Sequence, residues 1–314
     1  MVKRFCLAKY LLKVKEINLS STKKIFFSVI IPTYNREKLI AISINSVLSQ
    51  TYNHFELIIV DDGSTDKTEE VIKTFNDNRI TYIKTVNSER AVARNTGIKH
   101  AKGEYITFLD SDDIYYPNYL QNAFESLTKF NLPPFFHLAY EVLNTNGKSI
   151  MQMNYIKTDD IKCLIKPNSL SCMGIFISKE VTNSYKFNED RNLSGSEDWE
   201  LWMRIIAKYG IKTDSRISSA CIDHEERSMR EVNPKKLIER VNLSINYCFN
   251  DKIVQNVYNP YKNLITANFY CYIALHMVLG NHKKLAIKYL LKSIILKPFI
   301  IFDKRSLATI KRLI

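Results

Sequence analysis

No two of the six cysteines in this 314-residue chain form a CxxC pair, and no histidines pair at a metal-binding spacing. That argues against a zinc site or a disulfide framework and fits a reducing cytosol. Long apolar runs are missing as well. A membrane-spanning helix needs about 18 apolar residues in succession, but 269–279 is too short and contains His276. The stretch 285–302 is broken by Lys288, Lys292, Lys297 and Pro298. Lys9 and Lys13 interrupt the apolar stretch near the N-terminus, which makes it a poor leader. The expected location is therefore cytoplasmic, with room for peripheral contact on the inner face of a membrane. No zinc finger, RNP-type aromatic motif or other nucleic-acid signature is present, so nucleic acid is not an expected partner.

What is present is the composition of a soluble globular protein, 46% hydrophobic and 25% charged. The length suits one large domain or two smaller ones. The net charge of +13 sits at the ends. Residues 1–24 carry seven Lys or Arg against one Glu, and residues 235–314 carry fourteen against three acids, so the middle is mildly acidic. Basic ends around an acidic centre suit attachment to an anionic surface, with lipid ahead of nucleic acid, beside the plainer reading of a solubilising surface.

From Phe26 to about Leu127 strand and helix patterns alternate. Phe27–Ile31, Glu56–Val60 and Tyr105–Leu109 are short continuous apolar runs of the kind buried on both faces, and Ile80–Lys84 is a shorter strand. Between them, Leu39–Leu48, Thr65–Phe75 and Ala91–Ala101 have helical spacing. This order implies a mostly parallel sheet covered on both faces, with ligands binding beyond the strands' carboxyl ends. Polar motifs fall there: Thr33-Tyr34-Asn35-Arg36, Asp61-Asp62 and Asp110-Ser111-Asp112-Asp113. Farther on, Asn144–Gly147 reads as a hairpin turn, Met173–Ser178 as a strand, and Glu197–Tyr209 as a helix capped by Gly210. From Lys235 onward the pattern is helical.

Two acidic clusters carry the chemistry. Carboxylates massed after the strand Tyr105–Leu109 are costly without a cation, and a divalent metal holding a substrate's phosphates supplies one. Glu197 and Asp198 open a distant helix, where a carboxylate can act as a general base. Together they suggest group transfer from a phosphorylated donor.

Ser28–Arg36, Val60–Asp66, Ala93–Gly97 with Gly103–Ile106 and Leu109–Asp113, and Glu197–Trp202 resemble, in this order, four motifs of the family 2 glycosyltransferases. The resemblance implies a GT-A, Rossmann-like α/β fold over residues 25–230, between a basic N-terminal extension (1–24) and a basic helical C-terminal region (231–314). It also implies inverting transfer of a sugar from a nucleotide-diphosphate donor, usually a UDP-sugar, to an acceptor hydroxyl. The acceptor expected is a glycan or lipid-linked glycan of a surface polysaccharide.

On this resemblance Asp112 would bind Mn²⁺ or Mg²⁺ at the diphosphate, Asp110 would contact the ribose or the metal's water shell, and Ser111 would lie beside them. His224 would reach the metal or the diphosphate. Asp61 would accept from the uracil imide, Pro32, Thr33, Tyr34 and Asn35 would line base and ribose, and Arg94 would face the nucleotide. Asp62 would organise its turn, and Asp113 would cap the helix after Pro117. Asp198 is the expected base, with Glu197 its rival. Of the two tryptophans, one of Trp199 and Trp202 could stack on a sugar, with core packing the better reading for Trp202. No QxxRW-like motif follows the second acidic site, so addition of a single sugar is expected. Two alternatives stand beside this reading. A nucleotidyltransferase would usually carry a Gly-rich loop after the first strand, which Pro32–Arg36 is not. An inactive nucleotide-sugar-binding or scaffold protein would have no need of intact Asp110, Asp112 and Asp198.

Overall fold

The computed structural model of the chain describes residues 24–153, 156–167, 170–224 and 233–314. Nearly all of the basic segment 1–24 thus lies outside the described residues. Nine strands form one sheet: β1 (Phe27–Thr33), β2 (Phe55–Asp61), β3 (Ile80–Lys84), β4 (Tyr105–Phe108), β5 (Ile114–Tyr115), β6 (Phe135–Asn144), β7 (Ser149–Gln152), β8 (Ile175–Ser178) and β9 (Lys212–Asp223). Their order is β3-β2-β1-β4-β8-β6-β9-β5, with β7 pairing β6. The first four strands are parallel, as the alternation predicts. Beyond β4 the sheet is mixed, because β8 runs antiparallel to both β4 and β6 while β9 runs parallel to β6.

The helices are α1 (Ile40–Leu48), α2 (Thr68–Lys73), α3 (Arg90–His100), α4 (Tyr119–Lys129), α5 (Lys179–Ser184), α6 (Glu197–Tyr209), α7 (Pro234–Asn250), α8 (Lys252–Tyr258), α9 (Lys262–Leu279), α10 (Lys283–Leu296) and α11 (Lys304–Leu313). Side chains of β1 and β2 alternate between two apolar layers. Phe27, Val29, Ile31, Leu57 and Ile59 join α1 and α4 on one face. Ile30, Ile58 and Val60 join α3 and α6 on the other. α3 lies directly on β1 because residue 97 is glycine: a Cβ there would stand 2.5 Å from Cγ2 of Ile30.

The basic C-terminal region is no separate tail. Val241, Ile245, Phe249, Tyr258 and Phe269, from α7 to α9, belong to the same apolar layer as Ile30 and Trp202. Phe269 meets Trp199 edge-on at 4.7 Å between ring centroids. Among the described residues no helix is long and apolar enough to cross a membrane.

Pro32 falls inside β1 rather than stopping it. Even-numbered residues of β1 bond towards β4, as when Leu109 N–H donates to Ile30 O. β4 has ended before it reaches Pro32, so the missing proline N–H leaves no ladder partner unsatisfied. This place, where chain connections diverge from β1 towards β2 on one side and β4 on the other, is the switch point at which open α/β sheets hold ligands.

Candidate active site

A cleft of about 340 Å³ opens at that point, lined by Pro32, Thr33, Tyr34 and Arg36 after β1, Asp62 after β2, and Asn87, Glu89, Arg90 and Ala93 around the start of α3. Asp110, Ser111 and Asp112, after β4, close it. Thr33 Oγ1 is buried and has no hydrogen-bond partner among the described residues, so it is free for a polar ligand.

Asn35 is displaced from this lining. Its backbone is left-handed (φ 50°), its N–H donates to Ser64 Oγ and its Oδ1 accepts from Thr65 N–H. Asn35 therefore clamps the loop after β1 to the loop after β2. Asp61 is likewise turned inward. It is fully buried, and its two oxygens accept from Ser64 N–H and the Tyr82 hydroxyl at 2.8 Å each. Of this adjacent pair it is Asp62 whose carboxylate lines the cleft, fixed by the amides of Ser88 and Glu89.

Arg94 does not face the cleft as expected. Only 2% exposed, it donates to Asp110 Oδ1 and Glu197 Oε1 at 2.8 Å each. The reason is electrostatic. Glu197 is buried at the start of α6, and a buried carboxylate requires a cation. Burial alone would raise the Glu197 carboxyl, but the Arg90 and Arg94 guanidiniums and the Gly195 amide outweigh it and hold it below the usual range. Glu197 is thus held as an anion and engaged by Arg94, which makes it a weaker proton acceptor than its neighbour.

Asp198, the next residue, is partly exposed and accepts from the Trp199 N–H at 2.7 Å. Burial, followed by repulsion from Glu197, pushes its carboxyl up to about 6. A carboxyl near that value is ionised at neutral pH yet basic enough to take a proton. Arg94 ties the element carrying Asp198 to the acidic turn after β4, which brings the two acidic clusters of the sequence to one place.

The acidic turn runs straight into β5, which pairs with Ser219 and Ala220 of β9. Asp113 does not cap a helix. It is buried and accepts from Ile222 N–H at 2.9 Å, pinning β9 to the turn. His224, just past β9, consequently stands with Nε2 3.1 Å from Asp112 Oδ2. Arg36 Nη2 is 3.7 Å from that same oxygen. The hard carboxylate oxygen suits Mn²⁺ or Mg²⁺ when phosphate oxygens and water complete the shell; the imidazole nitrogen beside it suits the softer Mn²⁺ better than Mg²⁺. No group of three or more His, Cys, Asp or Glu placed to hold a metal ion occurs among the described residues. Any ion would therefore lean on the substrate's own oxygens.

Neither tryptophan is available to stack on a sugar. Trp199 is buried and its indole N–H donates to Leu164 O; Trp202 packs between Phe135 and Phe187. Glu89 and Arg90 line the cleft but escaped the sequence reading, while Arg36 and Asp62 were placed at the ligand end only as parts of polar motifs. For Arg90 a signal existed, since it precedes Arg94 by one helical turn and so shares its face.

A model of the family described as glycosyl transferase family 2 matches residues 28–190. The chain is 35% identical over 185 residues to the Escherichia coli UDP-Glc:alpha-D-GlcNAc-diphosphoundecaprenol beta-1,3-glucosyltransferase WfgD, covering 57% of this chain and 69% of that protein. It is 32% identical over 209 residues to an uncharacterized glycosyltransferase of Rickettsia typhi, covering 63% of this chain and 61% of the other. Its match to a Rickettsia felis glycosyltransferase spans 40% of that protein's length. Among solved structures, Staphylococcus aureus TarS 1–349 in complex with UDP-GlcNAc superposes with a TM-score of 0.62 at 20% identity, over 88% of this chain and 91% of that one. A Pyrobaculum calidifontis mannosyltransferase in complex with GDP-Man and Mn²⁺ superposes at 0.59 with 16% identity, over 93% and 86%. These two share the fold.

Proposed function

Because the chain belongs to glycosyl transferase family 2, we propose that it moves one sugar from a nucleotide-diphosphate donor, a UDP-sugar, to a hydroxyl of a glycan or lipid-linked glycan acceptor, with inversion. One observation carries the reading: Arg94 joins the acidic turn that lines the cleft to the helix end bearing a partly exposed carboxylate near pKa 6. A single displacement needs an acid-rich diphosphate site and a base on the opposite, acceptor side of the reacting carbon.

The nucleoside lies along Pro32, Thr33 and Tyr34, with the orphan Thr33 hydroxyl and Asp62 offering polar contacts. Arg36 and Arg90 place positive charge where the diphosphate sits. Asp112 and His224, with Asp110 beside them, would hold Mn²⁺ or Mg²⁺, which as a Lewis acid stabilises charge on the departing diphosphate. Asp198 takes the acceptor hydroxyl's proton as that oxygen attacks. Glu197 and Arg94 hold the base in place; burial and repulsion from Glu197 keep its carboxyl raised against the opposing pull of Arg94. The homologous glucosyltransferase's name, which specifies UDP-Glc and a diphosphoundecaprenol acceptor, supports a UDP-sugar donor and a lipid-borne acceptor.

The test is Asp198→Asn, assayed for UDP binding by calorimetry and for sugar transfer. Loss of a general base slows transfer by about 10²–10⁴-fold, with UDP binding unchanged. Wild-type turnover in this variant would refute the base assignment. No binding of any uridine nucleotide by wild type, with or without Mn²⁺, would refute the donor.

A further inference from the structure

The outward face of α10 carries apolar and basic side chains together. Ala286, Tyr289, Leu290 and Ser293 are buried inward, which turns 284, 287, 288, 291, 292 and 295 to solvent. Two neighbouring stripes result, the residues of each spaced about one turn apart: Ile287, Leu291 and Ile295, and beside them Lys284, Lys288 and Lys292. Ile295 is 79% exposed, and the turn that follows adds Phe299 at 86% and Phe302 at 73%. Single exposed apolar residues are ordinary, but a helix stripe continued by two phenylalanines is not.

Charge selects the occupant. Residues 283–314 hold nine Lys or Arg against the single acid Asp303, and Asp303 is occupied capping α11 and pairing Lys166. Apolar side chains flanked by lysines, on a helix lying along the protein surface, suit the interface of a bilayer containing anionic lipid: methylenes and rings enter the acyl boundary while ammonium groups meet phosphates. We propose that the α10 face and the Phe299–Phe302 turn dock this protein on an anionic membrane surface. The proposal deepens the reading of a lipid-borne acceptor, and the structure links the two places. Lys166 pairs with Asp303 and Pro167 O accepts from Arg305, while Leu164 O, in the same segment, accepts from the indole of Trp199 beside Asp198.

Co-sedimentation of the full chain with vesicles tests it, without donor or acceptor, so its outcome is independent of the catalytic reading. Wild type binds vesicles of phosphatidylcholine mixed with phosphatidylglycerol far better than phosphatidylcholine alone, and salt weakens binding. Lys284→Glu/Lys288→Glu/Lys292→Glu loses on the order of 100-fold in partitioning, and Leu291→Glu/Ile295→Glu at least about tenfold. Both sets replace exposed residues, and unchanged UDP binding and thermal unfolding verify the fold. Wild-type binding by either variant would overturn the proposal, passing any membrane affinity to the basic N-terminal segment. A vesicle-independent dimer of wild type, abolished by Leu291→Glu/Ile295→Glu in sedimentation velocity, would overturn it in favour of a second copy of the chain.

Discussion

Replacing Glu197 by Gln leaves the buried Arg94 guanidinium with a single carboxylate partner, Asp110, which is itself more open to solvent. Breaking a buried pair from one side costs about 3–5 kcal/mol, so Glu197→Gln should lower the urea midpoint strongly while leaving the denaturant slope unchanged. Asp198→Asn should do the reverse. The folded carboxyl stands near 6 against 3.8 unfolded, so the native state binds the proton more tightly. Stability from this group is complete below about pH 4 and is lost as pH rises through 6. Removing the charge should therefore raise stability at pH 7.5 by about 1–2 kcal/mol after allowance for solvent screening, in a variant that no longer transfers sugar. For the wild type, kcat/KM should climb with an acid limb near pH 6, because only the ionised base is competent. That limb should vanish in Asp198→Asn. The family resemblance already set Asp198 ahead of Glu197, but the physical ground for that order was not legible, since it depends on which carboxylate Arg94 reaches from a distant helix.

Helix α3 owes its position to one missing methyl. Gly97→Ala forces a Cβ against Ile30 at 2.5 Å, and overpacking of this kind costs about 1–3 kcal/mol. Since α3 also carries Arg90 and Arg94, a loss of UDP affinity should accompany the lower melting temperature, measurable on the same sample by calorimetry. Elements with strong local signals were legible. The β6–β7 hairpin turns where Asn144–Gly147 predicts, with Gly147 at φ 75°. α6 runs Glu197–Tyr209 and stops at Gly210, φ 70°. Strand direction was not legible, because a four-residue apolar strand such as β8 reads the same in a parallel or antiparallel pair. β9 carried no signal at all: its buried Thr213, Ser218 and Ser219 break both periods. They are tolerated largely through hydrogen bonds, such as Thr213 to Ile156 O and Asn122 to Ser218. In the site, the cleft-lining stretch at Pro32–Tyr34 and the acidic turn were readable from position alone. The inward turn of Asp61 and Arg94 was not, because facing a ligand and facing a buried partner leave the same trace in sequence.

Over the whole molecule, the C-terminal helices and the sheet share one apolar layer, so cutting the chain before α7 should not release a working catalytic domain. Truncation after residue 233 uncovers Trp199 and its neighbours. The product should be insoluble, or should bind ANS and lack a cooperative thermal transition; a soluble fragment with wild-type UDP affinity would contradict this packing. The two faces of the sheet also differ in when they can be finished. One layer draws on residues 25–221, the other on residues as late as 290. During synthesis the first can close about 69 residues before the ribosome reaches Leu290, the last buried residue of the second, an interval on the order of 3–14 s at 5–20 residues per second. Throughout that time the second face waits with its aromatic residues uncovered. The nascent chain is then a natural client for chaperones, and its yield should depend more on translation speed near the C-terminus than on the stability of the finished enzyme.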